Sequence, residues 1–459
     1  MSSDPEVLVV GAGLAGLNAA LDLHDAGIDV QVLEASDQVG GRVRTLDFGN
    51  GPVEAGATTY GPTHVRALAL LERLQLDTEV FTADISFASS VNGDLCSDED
   101  WPTSKGNRLV GEERDILPSR IDNYYMQAYL PFEGLDDWLD PRYAQYDIPF
   151  ADFLRGKGLS EEALRLVNMC INANDIQTVS ALSIFRDAIK WRDVGYTDPK
   201  NFNQYGAAQY RPIYLTKGGQ RLPEAMADAL TRPVAFNQDV RAISYGKDSV
   251  EVRCLDGTTH RARRLVVAAP IMTLRTIDFS PPLPGLHHEA IQTARASANT
   301  GFFLRARRAY WEDDGLPASL WTDTIFERLL AAGTDDRDEI LRIWINGDNA
   351  ERVDRLGEHA DQLLLDTLAR LRPSTEGQLE VLGRISWGSD PLIGGEKYVM
   401  GPGQVTRYGK SFSEPVGPIH WAGEHHKSRD QGAEAALQSG ERAAAALIAE
   451  LKPQQAASV

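Results

Sequence analysis

Two short apolar runs flank a helix-like segment at the start of the chain. The first run is Val7–Val10 and the second is Val30–Leu33. Short apolar runs connected by a helical segment are typical of buried strands in a parallel sheet. The pattern therefore predicts a strand–helix–strand unit in this part of the chain.

Similar patterns continue further along the chain. Ala151–Lys190 has apolar residues at helical spacing, whereas Arg241–Arg253 alternates as a strand does. Asp256 and Gly257 are a turn signal typical of a hairpin. Near the other end, the apolar strand Ile419–Ala422 leads into a helix that is rich in small residues. This mixture of strands and helices predicts an α/β (mixed α+β) protein.

Three glycines with the spacing Gly-x-Gly-x-x-Gly follow the first predicted strand. Gly11 permits a tight turn, Gly13 lets the backbone approach a pyrophosphate, and Gly16 lets helix and strand pack closely. The helix that begins with Leu14 and Ala15 offers free N–H groups and a positive dipole end to phosphates. The motif predicts a dinucleotide site in a Rossmann-like domain.

Two further features follow the glycines at suitable distances. Glu34 ends the second strand, where its carboxylate can accept hydrogen bonds from ribose hydroxyls and disfavours a 2′-phosphate. Gly41 and Arg42 come next, and an Arg guanidinium can bind a phosphate through two hydrogen bonds. The acid at position 34 therefore argues against NADP as the ligand. The combined pattern resembles the extended fingerprint of FAD flavoproteins in the glutathione-reductase superfamily rather than that of NAD dehydrogenases.

A second motif lies near the other end of the chain. Gly423 and Glu424 form a turn after the apolar strand, and Gln431 and Gly432 precede the helix of small residues. Small residues let a helix N-terminus approach a flat ring closely. The backbone N–H group of Ala433 can then face the electron-rich edge of a reduced flavin.

Length and composition fit a globular enzyme. The 459 residues suggest two or three domain-sized units, and 42% of them are hydrophobic. The net charge of −20 argues against nucleic acid or an anionic membrane as a partner, and it weakly favours a cationic substrate. No apolar run reaches the ~20 residues that a membrane-spanning helix needs.

The three cysteines, Cys96, Cys170 and Cys254, are far apart in the sequence. This spacing argues against a disulfide framework or a zinc site, and we expect no metal. The cysteine spacing also fits a reducing cytoplasm. The visible sequence has no signal peptide, which agrees with the same location. We expect residues 453–459 to be disordered, and a homodimer is left open as the oligomeric state.

Taken together, the two terminal motifs resemble those of the flavin monoamine oxidase family. Further segments resemble the family in the expected order over nearly the whole chain, strongly at both ends and weakly from about 80 to 214. The matching residues are Gly56, Ala57 and Thr58, which resemble the segment beneath the flavin ring; Val240, on the strand that supports the adenine; and Trp387 with Tyr398, in the segment that brings an aromatic ring to the flavin face.

The resemblance implies two interleaved domains. The FAD-binding domain is expected to comprise residues 1–79, 215–285 and 395–452, and the substrate-binding domain residues 80–214 and 286–394.

The resemblance also implies a reaction. Hydride transfer from the carbon beside an amine nitrogen to FAD gives an imine, which hydrolyses to an aldehyde or ketone. O2 then reoxidises the flavin and yields H2O2. The cofactor carries this chemistry, while the protein orients the amine and keeps the site dry. The expected partners are thus a small-molecule amine and O2 or another electron acceptor.

The sequence departs from the family pattern at three places. Tyr398 fits one of the two aromatic rings that often flank the substrate, but the aligned pair for the second ring is Gln431 and Gly432. Gly301 occupies the position of a lysine that assists the reaction with O2. Lys397 could approach the flavin instead, although the pattern favours a solvated surface position for it. No cysteine follows Cys254, so we expect noncovalent FAD.

The substrate is left open. The stretches 172–175 and 204–210 are candidates for the pocket wall, and Arg66 is the nearest arginine that could hold a carboxylate. An amine ranks slightly ahead of an amino acid. The alternatives are an amine dehydrogenase with an acceptor other than O2, an L-amino-acid oxidase, a desaturase or protoporphyrinogen-oxidase-like enzyme, and an FAD-containing binding protein without turnover.

Overall fold

The structure is a computed structural model that describes residues 4–49, 51–57, 59–81, 85–193, 211–331, 340–426 and 430–452. The predicted flavin-contacting residue Thr58, the predicted pocket stretch 204–210 and the tail 453–459 lie outside these ranges.

The strands and helices of the described residues are numbered here in chain order. The strands are β1 Val7–Val10, β2 Val30–Leu33, β3 Thr45–Asp47, β4 Pro52–Glu54, β5 Thr78–Val80, β6 Phe87–Val91, β7 Asp94–Cys96, β8 Ile213–Leu215, β9 Val240–Tyr245, β10 Val250–Cys254, β11 Thr259–Ala262, β12 Arg264–Val267, β13 Asp278–Ser280, β14 Arg295–Ser297, β15 Asn299–Ala306, β16 Ser319–Thr322, β17 Arg328–Ala331, β18 Ile340–Asn346, β19 Leu379–Ser386, β20 Lys397–Val399 and β21 Ile419–Trp421. The helices are α1 Leu14–Asp25, α2 Val65–Arg73, α3 Ile121–Ala128, α4 Phe150–Gly156, α5 Glu161–Cys170, α6 Ala181–Asp193, α7 Arg221–Asp228, α8 Gly285–Thr293, α9 Gly347–Arg355, α10 His359–Leu371, α11 Gln404–Tyr408 and α12 Gly432–Leu451.

A parallel four-stranded sheet brings distant parts of the chain together. Its order is β2-β1-β12-β21, so strands from both ends of the sequence are neighbours. Helices α1 and α12 pack closely beside it, because Gly440 in α12 leaves room for the backbone of α1. A Cβ atom at Gly440 would lie 2.3 Å from the Ala15 carbonyl oxygen. The predicted strand–helix–strand unit and the mixed α/β class are confirmed.

A larger sheet of seven strands forms the second layer. Its order is β19-β15-β18-β17-β16-β6-β7, and most neighbouring strands are antiparallel. Helices α9 and α10 cover one face, where Leu364 and Leu368 join Phe302, Leu341 and Ile343 in a buried core. This burial of strand and helix side chains against each other holds the layer together.

Helices α3 to α6 form a separate layer with an aromatic centre. The rings of Phe150, Phe153 and Phe185 contact one another edge to face or stacked, with centroids 4.9–6.3 Å apart. Helix α5 begins where the Ser160 hydroxyl accepts a hydrogen bond from the Ala163 N–H group, as an N-cap serine commonly does. This layer places Asn172, which follows α5, and Lys190 of α6 at the wall of the cavity.

One predicted strand is in fact two. The alternation over 241–253 belongs to the antiparallel strands β9 and β10, which are joined by a turn around Gly246. Alternation alone does not mark a tight turn, so the sequence pattern appeared continuous. The predicted hairpin at Gly257 is confirmed, and its φ of +88° suits glycine. Among the described residues, no helix combines the length and apolar character needed to cross a bilayer.

Candidate functional site

A cavity of about 460 Å³ opens at the carboxyl ends of the parallel strands and extends to the second sheet and to α6. This edge is where open α/β sheets bind ligands. It brings together most of the residues that the sequence indicated. The predicted residues that line it are Gly11, Gly13, Leu14, Ala15, Glu34, Gly41, Arg42, Gly56, Ala57, Val240, Trp387, Gly423, Glu424, Gln431, Gly432 and Ala433.

The three glycines of the first motif differ in their surroundings. A Cβ atom at Gly16 would lie 1.9 Å from the Gly11 carbonyl oxygen, so Gly16 allows the close approach of α1 to β1 and does not itself line the cavity. Gly11 adopts a φ of +104°, which favours glycine. At Gly13 the nearest atom to a Cβ would be 4.0 Å away, which leaves open space at the cavity wall.

Glu34 is fixed by its own neighbourhood. One carboxylate oxygen accepts a hydrogen bond from the Ala12 N–H group at 2.7 Å, and the other accepts from the N–H and hydroxyl groups of Ser36. A carboxylate has about four acceptor positions, so one remains for a hydroxyl in the cavity. Glu34 therefore joins the glycine turn to the second strand and also faces the ligand space.

Arg42 links two segments that the sequence places far apart. Its Nη1 atom donates to the backbone carbonyl of Glu396 and lies 3.7 Å from the Glu424 carboxylate. The backbone of Gly56 packs directly against Arg42, because a Cβ atom at Gly56 would lie 1.8 Å from the Arg42 carbonyl oxygen. The ring nitrogen of Trp387 donates to the Ala55 carbonyl at 3.1 Å, which holds the indole against the same wall.

The start of α12 is held by a cluster of ionic contacts. Arg66 contacts Glu434 at 3.1 Å and Glu441 at 2.5 Å, and it lies 3.5 Å from Asp430. Glu434 in turn accepts from the backbone N–H groups of Arg66 and Ala67 at the start of α2. Arg66 therefore does not hold a substrate carboxylate here, because its guanidinium already binds the acids of α12.

Tyr398 departs from the expectation for a ring beside the cavity. It is only 2% exposed, and its ring packs near Phe412 and His425 with centroids 6.3 and 6.4 Å away. It is not among the described residues that line the cavity, whereas its neighbour Lys397 is. Side chains alternate between the two faces of a strand, so residues 397 and 398 of β20 cannot both point the same way.

Lys397 is not the solvated surface residue that the sequence suggested. Its side chain is 17% exposed, and its Nζ atom lies 2.7 Å from the carboxylate of Asp187 in α6. Burial acts to lower the pKa of Lys397, but the Asp187 carboxylate raises it above the usual value. The ion pair joins β20 to α6 at the cavity wall.

Glu396, beside Lys397, was missed by the sequence reasoning. It lines the cavity, and its Oε2 atom is buried without a hydrogen-bond partner among the described atoms. Burial raises the pKa of Glu396. Only its place in the stretch Gly394-Gly395-Glu396-Lys397-Tyr398, which ends at the predicted Tyr398, could have drawn attention to it.

Gly301, at the position of the expected lysine, lies within β15 between β18 and β19. The nearest cation is Arg342, whose Nε atom would lie 3.9 Å from a Cβ at Gly301. The Arg342 guanidinium stacks 3.9 Å from the Trp344 ring centroid and donates to the Ala55 carbonyl at 3.3 Å. It lies behind Trp344, which does line the cavity.

Three further side chains that line the cavity come from separate elements: His64, Asn172 and Lys190. Asn172 falls in the predicted stretch 172–175. His64 and Lys190 were not predicted, because they come from the start of α2 and from α6, whose packing against the cavity has no sequence signature.

The cavity suits a dinucleotide flavin cofactor. The wall at Gly13 leaves space for a pyrophosphate beside the N-terminus of α1, and Glu34 retains an acceptor position for a ribose. The α12 N-terminus, with Ala433 and the open side of Gly432, lines the same cavity. A Cβ atom at Gly432 would meet nothing within 4 Å. These observations agree with the FAD expected from the sequence.

Comparison with known proteins gives the same picture. The family described as flavin containing amine oxidoreductase matches residues 14–116 and 191–448, which is most of the chain. Bovine (Bos taurus) flavin-containing amine oxidase B is 27% identical over 98% of this chain and 87% of the relative. An L-amino acid dehydrogenase of Synechocystis sp. is 25% identical over 97% of this chain and 95% of the relative.

Solved structures share the fold. A putrescine oxidase variant superposes with a TM-score of 0.79 at 22% identity, over 97% of this chain and 99% of that one. Cyclohexylamine oxidase from Brevibacterium oxydans gives a TM-score of 0.77 at 23% identity, over 98% of this chain and 100% of that one.

Proposed function

The chain belongs to the flavin-containing amine oxidoreductases, and from this premise we propose how its residues divide the work of the reaction. The protein is an FAD-dependent amine oxidase, whose partners are a small-molecule amine and an electron acceptor. FAD, when bound, supplies the chemistry by accepting a hydride from the carbon beside the amine nitrogen. One cavity that is lined by both Glu34 and Gln431 is the observation that carries the proposal.

The cofactor half of the cavity is proposed to hold FAD through backbone groups. Gly13, Gly41 and the N-terminus of α1 would bind the pyrophosphate, and Glu34 would accept from the ribose. Val240 lines the cavity close to this part of the wall, as expected for the strand that supports the adenine. Arg42 would add a cation beside the phosphates.

The other half is proposed to orient the amine and exclude water. Gly56, Ala57 and Trp387 form one wall, and Gln431 and Gly432 form an opening at the start of α12. The N–H groups at this helix start would face the flavin's pyrimidine edge through Ala433. The role of Tyr398 beside the substrate remains a prediction that its burial does not support.

The division into two interleaved domains is part of the proposal. The four strands of the parallel sheet fall within 1–79, 215–285 and 395–452, and those of the seven-stranded sheet fall within 80–214 and 286–394. A cytoplasmic location is proposed on the three buried, unpaired cysteines. A homodimer remains open.

Noncovalent attachment of FAD is proposed because no cysteine follows Cys254 in the sequence. Acid precipitation of the purified yellow protein should release the flavin into the supernatant. Flavin that stays in the pellet would contradict this attachment.

Anaerobic mixing with a panel of amines tests the function itself. Substrates should bleach the oxidised flavin absorbance, and admitting O2 should restore it with formation of H2O2. If amines bleach the flavin but O2 restores it only slowly, the dehydrogenase alternative suggested by Gly301 gains support. If no amine bleaches the flavin, the proposal fails.

A further inference from the structure

Trp344 lines the cavity from β18, in the seven-stranded sheet. It therefore does not belong to the segments that are proposed to bind FAD. The Arg342 guanidinium stacks on the indole ring, 3.9 Å from its centroid, and also donates to the Ala55 carbonyl at 3.3 Å. These contacts link one face of the ring to the segment that carries Gly56 and Ala57.

The polar edge of this indole is held by Asn346, at the end of the same strand. The Trp344 Nε1–H group donates to the Asn346 Oδ1 atom at 2.8 Å. An indole nitrogen can only donate, so this contact decides which end of the Asn346 amide is the oxygen. The Nδ2 group of Asn346 then has its hydrogens on the other side, away from Trp344.

Glu327 binds Asn346 on that other side. Its Oε2 atom accepts from the backbone N–H group of Asn346 at 3.1 Å and from the Asn346 Nδ2 group at 3.2 Å. Its Oε1 atom accepts from the Nδ2 group of Asn349 at 3.1 Å. Both oxygens accept from N–H groups, which suits the carboxylate form. A chain of hydrogen bonds thus leads from Glu327 through Asn346 to the indole of Trp344.

Glu327 occupies an unusual position in the turn between β16 and β17. It is only 2% exposed, and its φ of +48° lies in the left-handed region, which is uncommon for residues other than glycine. Burial raises the pKa of Glu327 to about 7, although the Arg328 guanidinium and hydrogen bonds from Asn349 and Asn346 act to lower it. Strongly shifted pKa values cluster at functional sites.

We propose that Glu327 is a positioning residue, which acts through Asn346 to hold the Trp344 indole in one orientation and so limits the size of the amine that is oxidised. The proposal rests on the function proposed above and adds a determinant of substrate size to it. Without the hydrogen bond at Nε1, the indole is free to change rotamer and the wall loses its fixed shape. Because the Arg342 guanidinium already stacks on the ring and repels a second cation, Trp344 meets the apolar part of the amine.

The test is a double-mutant cycle on the holoenzyme. Glu327→Asn withdraws the polar end of the side chain from Asn346 but tolerates a positive φ, and Trp344→Phe removes the indole N–H group. The measured quantity is the ratio of kcat/KM between the largest and the smallest amine of the panel that bleach the flavin. In the wild-type background, Glu327→Asn should raise this ratio at least about threefold. In the Trp344→Phe background it should have almost no effect, because no Nε1 hydrogen bond is left to lose.

Two control variants separate positioning from a general loss of stability. Glu327→Gln should retain most of the wild-type ratio, because its amide oxygen still accepts from Asn346. Asp314→Asn removes a carboxylate that binds the buried Arg372 at 2.7 Å, away from the cavity wall, so it should lower stability and leave the ratio unchanged. If Glu327→Asn gives no folded holoprotein, Asn346→Ser takes its place in the cycle. Its short side chain cannot join Glu327 to Trp344, and serine suits the start of α9.

Near-ultraviolet circular dichroism gives a readout that does not depend on turnover. An aromatic side chain that is held in one orientation contributes a signal, which is lost when its packing is no longer fixed. The difference between the spectra of the wild type and Trp344→Phe identifies the contribution of Trp344. Glu327→Asn should reduce this contribution, whereas Glu327→Gln and Asp314→Asn should retain it.

The outcomes distinguish this proposal from the function on which it rests. If Glu327→Asn changes the ratio equally in both backgrounds, or in neither, the proposal is overturned while amine oxidation stands. An unchanged Trp344 signal in the folded Glu327→Asn variant would also overturn it. If no amine bleaches the flavin, the proposed function itself fails, and the dichroism spectra still decide whether Glu327 holds Trp344.

Discussion

The glycine unit of residues 7–42 differs from the group His64, Asn172 and Lys190 in how it lines the cavity. The first is one contiguous stretch, which offers backbone groups and the side chains of Glu34 and Arg42. The second consists of side chains that come from just before α2, from just after α5, and from α6. A site within one short stretch can be predicted from spacing along the chain, whereas a site built from distant segments depends on how helices pack. The sequence therefore predicts the cofactor site but not the residues that come from distant helices.

The largest expected effect lies in the glycine unit. Gly16→Ala should destabilise the protein by more than about 4 kcal/mol, because its methyl group would overlap the Gly11 carbonyl oxygen and no side chain can rotate to relieve the contact. The measurement is the yield and flavin content of the purified protein.

Gly13→Ala is the matched control for this position. Its methyl group has space, so it should fold and yet bind FAD more weakly by crowding the pyrophosphate. Equal behaviour of the two variants would show that the glycines do not have the separate roles given to them.

The next prediction concerns the ion pair between Lys397 and Asp187, which joins β20 to α6 at the cavity wall. Asp187→Asn should destabilise the protein by roughly 3 kcal/mol, because it leaves a buried ammonium without its carboxylate. Denaturant unfolding of the holoprotein measures this loss. The double variant Asp187→Asn with Lys397→Met should recover much of it, and a fully additive double variant would argue against the pairing.

Glu34→Gln tests the cofactor half without removing bulk. It should weaken FAD binding by roughly 1.5–3 kcal/mol, since a neutral amide replaces a charged acceptor. Titration of the apoprotein with FAD gives the Kd. Glu251→Gln is a suitable control, because Glu251 lies on β10 and pairs only with the exposed Arg261 among the described contacts. An unchanged Kd would exclude Glu34 as the ribose ligand.

The smallest effect is expected at Gly432, on the open side of the cavity. Its φ of +53° means that any side chain costs about 1 kcal/mol, so a bulky residue must be compared with Gly432→Ala rather than with the wild type. Relative to Gly432→Ala, Gly432→Tyr should favour small substrates over bulky ones several-fold in kcat/KM. Identical selectivity in the two variants would mean that this side does not face the substrate.

The sequence predicted positions well where a residue type is required by the local backbone, such as a glycine at a close approach or an acid at the end of a strand. Glu34 lines the cavity at the end of β2, and Gly16 lies where α1 approaches β1, because spacing after a strand fixes both positions. Nothing in the sequence decides on which side of β20 Tyr398 lies, since a strand of three residues gives no alternation from which to tell its two faces. The sequence pattern also favoured an exposed Lys397, because its partner Asp187 lies on a helix far away in the sequence. The prediction that Arg66 could hold a carboxylate of the substrate was also affected, because its acidic partners lie at the start of α12, far away in the sequence.

The contact between α1 and α12 has a consequence for how the protein is made. Asn18 in α1 donates to the Leu437 carbonyl at 3.0 Å, and both side chains are buried. While the chain is still emerging from the ribosome, α1 has no α12 to cover it, and β12 has no β21 at its edge. The helix that is synthesised first is thus among the last to be covered by its packing partner. A nascent chain must keep this apolar helix from aggregating until nearly every residue has been added.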